Sequence, residues 1–140
     1  MQGRCLCGEV SFEISSPSLR YYRCYCSLCR RQTGTGFNTA TIVAAQRFRW
    51  LGGEEGVGSW TKSSGFRADF CRQCGSPVPN QLRNTSFVWV PIGLLDDAHT
   101  AIELVADICL DSRAVWERVP APAQQFAECP ELGILLDALI

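Results

Sequence analysis

Seven of the nine cysteines of this chain stand in three short clusters, and their spacing is that of metal ligands. The clusters are Cys5-x-Cys7, Cys24-x-Cys26-x-x-Cys29 and Cys71-x-x-Cys74. A structural zinc ion usually takes four ligands and binds thiolate sulfurs at about 2.3 Å each. Two of the clusters together supply four thiolates, whereas the third supplies three. We therefore expect one closed structural site and one open, catalytic site.

The same cysteines are poor candidates for disulfides. Nine is an odd number, so complete pairing within the chain is impossible. No apolar stretch of a signal peptide precedes Cys5. We therefore expect a cytoplasmic, reducing location, in which clustered thiols serve as metal ligands or catalytic groups. A redox role for Cys71 and Cys74 is a less favoured alternative, because no βαβ pattern surrounds them.

The predicted closed site joins the first cluster to the last, and its ligands are Cys5, Cys7, Cys71 and Cys74. A glycine follows the second cysteine of each pair, Gly8 in one case and Gly75 in the other. Glycine lets the chain turn beneath a metal with a positive φ, so that backbone N–H groups can face the thiolates. Zinc held in this way contributes on the order of 10 kcal/mol to folding.

The predicted open site consists of Cys24, Cys26 and Cys29, which lie within six residues of one another. Three thiolates leave the fourth position of a zinc ion for water, or for an oxygen or sulfur of a substrate. A substrate thiol bound there would lose its proton more easily and be held beside an electrophile. Arg30 and Arg31 follow directly, and we expect them to bind the carboxylates of such a substrate.

The alternative for the central cluster is a second structural site. Its fourth ligand would be His99, Cys109 or water. Cys109 and Cys129 are isolated in sequence, and we expect them to be small buried residues or inert thiols rather than ligands.

The rest of the sequence predicts a single domain over residues 1–140 that is mostly β. Short alternating segments bounded by Gly, Ser, Asn or Pro indicate strands. They cover residues 10–14, 20–24, 37–43, 47–51, 58–62, 66–71, 87–92 and 102–108. Residues 27–32 are expected to form a helical turn capped by Ser27, and residues 131–139 a short C-terminal helix. No apolar run is long enough for a membrane span, and a net charge of -1 makes nucleic acid an unlikely partner.

Three runs of residues resemble the glutathione-dependent formaldehyde-activating (GFA) family, which includes proteins of the centromere protein V type. They are Gly-Arg-Cys-Leu-Cys-Gly-Glu-Val (3–10), Cys-Tyr-Cys-Ser-Leu-Cys-Arg-Arg (24–31) and Phe-Cys-Arg-Gln-Cys-Gly-Ser (70–76). Residues 48–55, 93–97 and 125–126, together with Trp116, are also similar to the family. The similarity extends over nearly the whole chain.

The resemblance implies a small Mss4-like fold, a β-tent of antiparallel sheets stapled by zinc. It implies that Cys5, Cys7, Cys71 and Cys74 hold a structural zinc and that Cys24, Cys26 and Cys29 hold a catalytic zinc. The family's named activity joins glutathione to formaldehyde, giving S-(hydroxymethyl)glutathione, and is classed with the carbon–sulfur lyases. Two departures bear on the substrate: Tyr25 stands where the family often has His, and residues 99–113 fit less closely.

Two functions follow from these observations. The first is an enzyme of carbon–sulfur bond chemistry with a low-molecular-weight thiol, such as glutathione, as its partner. The second is a zinc-stabilised module that binds a protein or a nucleic acid and catalyses nothing. A concave cavity over the central cluster favours the enzyme, and a broad exposed arginine face favours the module.

Overall fold

The computed structural model describes residues 1–96, 101–119 and 124–139. The chain divides into two compact units, of which the first contains residues 1–18 and 42–101 and the second residues 19–41 and 102–140. The closed-site cysteines all belong to the first unit and the central cluster to the second. A single domain over residues 1–140 stays a prediction. No helix of the described residues is both long and apolar enough to cross a membrane.

The described elements are mainly short strands. They are β1 (Gln2–Arg4), β2 (Ser11–Ile14), β3 (Ser18–Cys24), β4 (Asn38–Ala44), β5 (Phe48–Gly52), β6 (Val57–Thr61), β7 (Arg67–Cys71), β8 (Asn80–Gln81), β9 (Phe87–Pro91), β10 (Ala101–Ile108) and β11 (Gln124–Gln125). The two α-helices are α1 (Ser27–Thr33) and α2 (Leu132–Leu139). The predicted mainly β class with a short C-terminal helix is confirmed.

The first unit is built from antiparallel pairs. β2 lies between β1 and β5, β6 pairs with β7, and β8 pairs with β9. The alternation predicted for residues 10–14 is confirmed, because Val10, Phe12 and Ile14 are fully buried. Phe12 stacks on Phe48 with ring centroids 5.6 Å apart, and Trp50 meets Phe48 edge-on. This aromatic cluster ties β2 to β5.

The second unit contains a sheet in the order β11-β10-β3-β4. β3 and β4 are antiparallel, with Cys24 opposite Asn38, so the central cluster begins where this pair ends. β10 and β11 are parallel, which departs from the antiparallel sheets that we expected. Leu135 and Leu139, which are one helical turn apart on α2, are both buried.

The sequence missed three strands and misplaced one helix cap. β1, β8 and β11 have two or three residues each, too few to show a period of two. The cap of α1 is Cys26 rather than Ser27: the Cys26 side chain accepts a hydrogen bond from the backbone N–H of Cys29. A sulfur of the central cluster thus occupies the position where a serine or threonine oxygen is usual.

A buried ion pair fixes β3 to β10 within the second unit. The Arg23 guanidinium donates from Nε and Nη2 to the two carboxylate oxygens of Asp107, at 2.5 and 2.8 Å. Asp107 is fully buried and Arg23 is 13% exposed. The same strands carry a second pair, Arg20 and Glu103, which is 3.8 Å apart and largely exposed.

Asp107→Ala is therefore expected to lower the free energy of unfolding by about 3–5 kcal/mol, because it leaves the largely buried Arg23 charge without its carboxylate partner. Glu103→Ala is the matched control on the same two strands, and its expected cost is below about 1 kcal/mol. Urea unfolding of both variants followed by circular dichroism measures the difference. Equal costs for the two variants would show that the Arg23–Asp107 pair does not hold these strands together.

Candidate metal centres

The first group of thiols assembles as the sequence predicts. The ligand atoms of Cys5, Cys7, Cys71 and Cys74 all lie within 4.8 Å of one another. The Cys7 sulfur is 3.5 Å from that of Cys5 and 3.8 Å from that of Cys71. Four sulfurs placed tetrahedrally at 2.3 Å from zinc would be about 3.8 Å apart. The donor type, the number of donors and their spacing therefore fit one zinc ion.

The two glycines beside this group adopt the conformation predicted for them. Gly8 has a φ of 82° and Gly75 a φ of 77°. In each case the glycine N–H donates to the carbonyl of the first cysteine of the motif, Cys5 at 3.0 Å and Cys71 at 2.8 Å. These tight turns direct the two cysteine sulfurs of each pair towards one common position.

Neighbouring donors favour the thiolate form at this group. Ser76 Oγ lies 3.3 Å from Cys74 Sγ, and this hydroxyl and the Ser76 backbone N–H lower the pKa of Cys74 to about 5. Burial opposes ionisation of Cys5, yet its pKa is lowered, because the Val10 N–H donates to its sulfur at 3.3 Å. Thiolate is the form that binds a metal, so these contacts prepare the ligands.

The pKa of Cys7, in the same group, is shifted upwards rather than downwards. The pKa of Cys7 is raised to about 12: the Glu9 backbone N–H lowers it, but desolvation and the three neighbouring thiols outweigh that contact. Four thiolates repel one another when nothing neutralises them. A divalent cation removes this repulsion and deprotonates its ligands.

The second group is made by the end of β3 and the start of α1. The sulfurs of Cys24, Cys26 and Cys29 lie within 4.8 Å of one another. Cys24 is the last residue of β3, Cys26 caps α1, and Cys29 lies in its first turn. Cys24 is buried, while Cys26 and Cys29 are half-buried. Three soft sulfurs at this spacing also fit a zinc ion, with one coordination position left over.

The pKa of Cys26 is shifted in the opposite direction to those of the other two thiols in the second group: it is lowered, whereas those of Cys24 and Cys29 are raised. The pKa of Cys26 lies well below the usual range because its sulfur interacts with the thiols of Cys109, Cys24 and Cys29, and because the Cys29 N–H donates to it at 3.4 Å. Cys26 is therefore the thiol of this group that loses its proton most readily.

Tyr25, between two of these cysteines, points into the core. It is fully buried, and its ring centroid is 5.3 Å from that of Phe37. Burial and the neighbouring negative charge of Asp107 raise the pKa of Tyr25 to about 12. The ring therefore packs in the core, and packing as the sole role of Tyr25 stays a prediction.

The two arginines after the cluster differ in their surroundings. Arg31 is exposed, whereas Arg30 is half-buried. Nη2 of Arg30 donates to the Ser112 carbonyl at 3.3 Å, and its Nε is buried with no partner among the described residues.

Three residues considered for the second site have separate outcomes. His99 lies outside the described residues. Cys129 is exposed rather than buried. Cys109 is buried, as expected, but its thiol interacts with those of Cys24 and Cys26, so it is not isolated in space. Sequence reasoning missed this neighbour because 79 residues separate it from the cluster and no second cysteine stands near it in a ligand spacing.

Comparison with known proteins identifies the family. The family model described as "Glutathione-dependent formaldehyde-activating enzyme" matches residues 1–112. The chain belongs to the GFA family. That match contains all seven clustered cysteines, so the resemblance drawn from the three motifs is confirmed.

One curated relative of this GFA protein and one solved structure add detail. A protein of Halomonas elongata, provisionally named a glutathione-dependent formaldehyde-activating enzyme, is 46% identical over 37 residues. The match spans 26% of this chain and about a quarter, 24%, of that relative. A crystal structure of a Rhodobacter sphaeroides protein is 24% identical and has a TM-score of 0.56, covering 74% of this chain and 99% of its own. The similarity to this crystal structure supports the fold of the present chain and nothing further.

The two thiol groups of this GFA protein are expected to differ in their effect on stability. Cys74→Ser breaks the group with four ligands, and since structural-zinc binding energy is folding energy, the variant should melt at a much lower temperature or aggregate. Cys26→Ser removes one ligand of three and should leave the fold largely intact. Cys129→Ser is the exposed control. Thermal melts by circular dichroism, run under reducing conditions, compare the three variants. Equal losses in Cys74→Ser and Cys26→Ser would mean that both groups are structural.

Proposed function

We propose that this protein is a zinc-dependent enzyme of the carbon–sulfur lyase type that acts on the adduct of a low-molecular-weight thiol. The reaction that fits best is the formation of S-(hydroxymethyl)glutathione from glutathione and formaldehyde. The observation that supports it most is the group of three thiols at Cys24, Cys26 and Cys29, in a chain of the GFA family.

The two thiol groups have different roles in this proposal. Cys5, Cys7, Cys71 and Cys74 hold a structural zinc, while Cys24, Cys26 and Cys29 hold a catalytic or labile one. When bound, the second ion supplies a coordination position at which a substrate thiol becomes a thiolate near neutral pH. A three-thiolate set with one divalent ion keeps a net charge of -1, which leaves the site unfavourable for an anionic substrate unless a cation is nearby.

Arg30 supplies that cation in our proposal. It follows Cys29 directly and is half-buried, so solvent screens its charge less than that of an exposed arginine, and a substrate carboxylate would be attracted to it. Arg31 is exposed and contributes a weaker, solvent-screened attraction. Because formaldehyde reacts with thiols unaided, the main contribution of these residues is to hold the thiol in one orientation.

Arg30→Ala is therefore expected to weaken the binding of glutathione by about 10- to 100-fold. A charge-assisted hydrogen bond contributes about 1.5–3 kcal/mol, and about 1.4 kcal/mol corresponds to tenfold in affinity. Arg31→Ala is the matched control, with an expected loss below about fivefold, since an exposed ion pair contributes about 0–1 kcal/mol. Isothermal titration calorimetry of zinc-loaded protein with a panel of acidic thiols measures both.

The same titration decides between the enzyme and the non-catalytic binding module. The module predicts that no thiol in the panel binds the zinc-loaded protein. The cavity that the structure describes in the first unit, of about 350 Å³, does not favour either function, because no cysteine lines it. Its lining includes Trp50, Arg67 and Asp69.

A further inference from the structure

Cys109 lies beside the second thiol group although the sequence places it far away. It directly follows β10, whose last residue, Ile108, accepts a hydrogen bond from the Tyr25 N–H at 3.0 Å. Tyr25 stands between Cys24 and Cys26, so this bond brings the end of β10 against the cluster. The Cys109 side chain is 8% exposed, and its thiol interacts with those of Cys24 and Cys26.

The backbone of Cys109 is held in an unusual conformation. Its φ is 59°, a left-handed value that Cβ-bearing residues other than Asn and Asp seldom adopt. Hydrogen bonds on both sides maintain it: the Cys109 N–H donates to Glu128 at 3.2 Å, and the Ser112 N–H donates to Cys109 at 3.1 Å. The chain thus turns at the point where this thiol meets the cluster.

The sulfur of Cys109 is close to those of the second thiol group but lies outside the set of three. The three sulfurs that lie within 4.8 Å of one another are those of Cys24, Cys26 and Cys29, and Cys109 lies outside this set. Its thiol interacts with those of Cys24 and Cys26. The Cys109 thiol also interacts with that of Cys129.

We propose that Cys109 is a fourth, displaceable ligand of a zinc ion held by Cys24, Cys26 and Cys29. In the resting protein its thiolate completes a tetrahedral S4 site. A substrate thiol displaces it: the zinc–sulfur bond to Cys109 breaks, a zinc–sulfur bond to the substrate forms, and the substrate thiol's proton passes to Cys109. The displacement step rests on the function proposed above, whereas the ligand assignment does not.

The chemistry of this arrangement explains why one thiol stands apart from the other three. Cys24, Cys26 and Cys29 belong to one short strand–helix segment, which fixes their relative positions. Cys109 is attached to β10, a separate element, so it can leave the metal without disturbing the other ligands. A thiolate in the fourth position also prevents the open site from capturing solvent or unwanted anions.

Cadmium NMR tests the ligand assignment without any measurement of activity, because the cadmium chemical shift reports how many sulfurs bind. In reduced protein loaded with cadmium, we expect two tetrathiolate signals. Cys109→Gly suits the left-handed backbone and so keeps the fold, and it should move one signal to the position of a site with three sulfurs. Cys129→Ala, the control, should leave both signals in place.

Two results would overturn the assignment. One is a three-sulfur signal already present in the unmodified protein, and the other is a pair of tetrathiolate signals that Cys109→Gly leaves unchanged. Zinc affinity gives a second readout: Cys109→Gly should weaken the second site at least about tenfold, since the loss of even an outer partner of a ligand costs about 10- to 100-fold.

Calorimetry with glutathione tests the displacement. Cys109→Gly should bind the thiol several-fold more tightly than the unmodified protein, because no internal thiolate competes for the position. Equal or weaker binding would show that Cys109 is not displaced. If the thiol binds neither protein while the cadmium signals behave as expected, the proposed function fails and the ligand assignment stands.

Discussion

We expect the first unit to depend on the attraction between a divalent cation and the first group of thiolates. Cys5 and Cys71 belong to one buried cluster with Val10 and Val78, so the ligands are part of the hydrophobic core rather than an addition to its surface. The cluster joins segments that are 64 residues apart along the chain. Without a cation, the thiolates at the centre of this core would repel one another. With a bound cation, the same sulfurs would hold the surrounding segments together more strongly than any other contact in the core.

The second unit builds its thiol group on different support. The Arg23–Asp107 pair and the bond from Tyr25 to Ile108 fix the end of β3 beside the end of β10. Cys26 caps α1 with its sulfur, so the helix begins at the cluster itself. The three thiols of this group are therefore positioned by backbone and ionic contacts that need no metal.

Much of the fold and of both thiol groups could be predicted from the sequence, because short-range patterns carry the information. The spacing of the cysteines predicts the metal sites. The position of Gly8 and Gly75 directly after a cysteine pair predicts their positive φ. The alternation of apolar and polar residues predicts which side chains of β2 are buried. What the sequence did not reveal depends on contacts between distant segments. Cys109 has no local motif, β11 pairs over two residues only, and Asp107 is polar at a fully buried position.

Zinc content before and after mild chelation, measured with the far-ultraviolet circular dichroism of the same samples, tests the central claim most directly. We expect up to two zinc ions per chain in freshly purified reduced protein and about one after chelation, with the fold retained. Removal of the remaining ion should then unfold the first unit. A protein that contains no zinc, or that keeps its spectrum and melting temperature after losing all of it, would contradict the account.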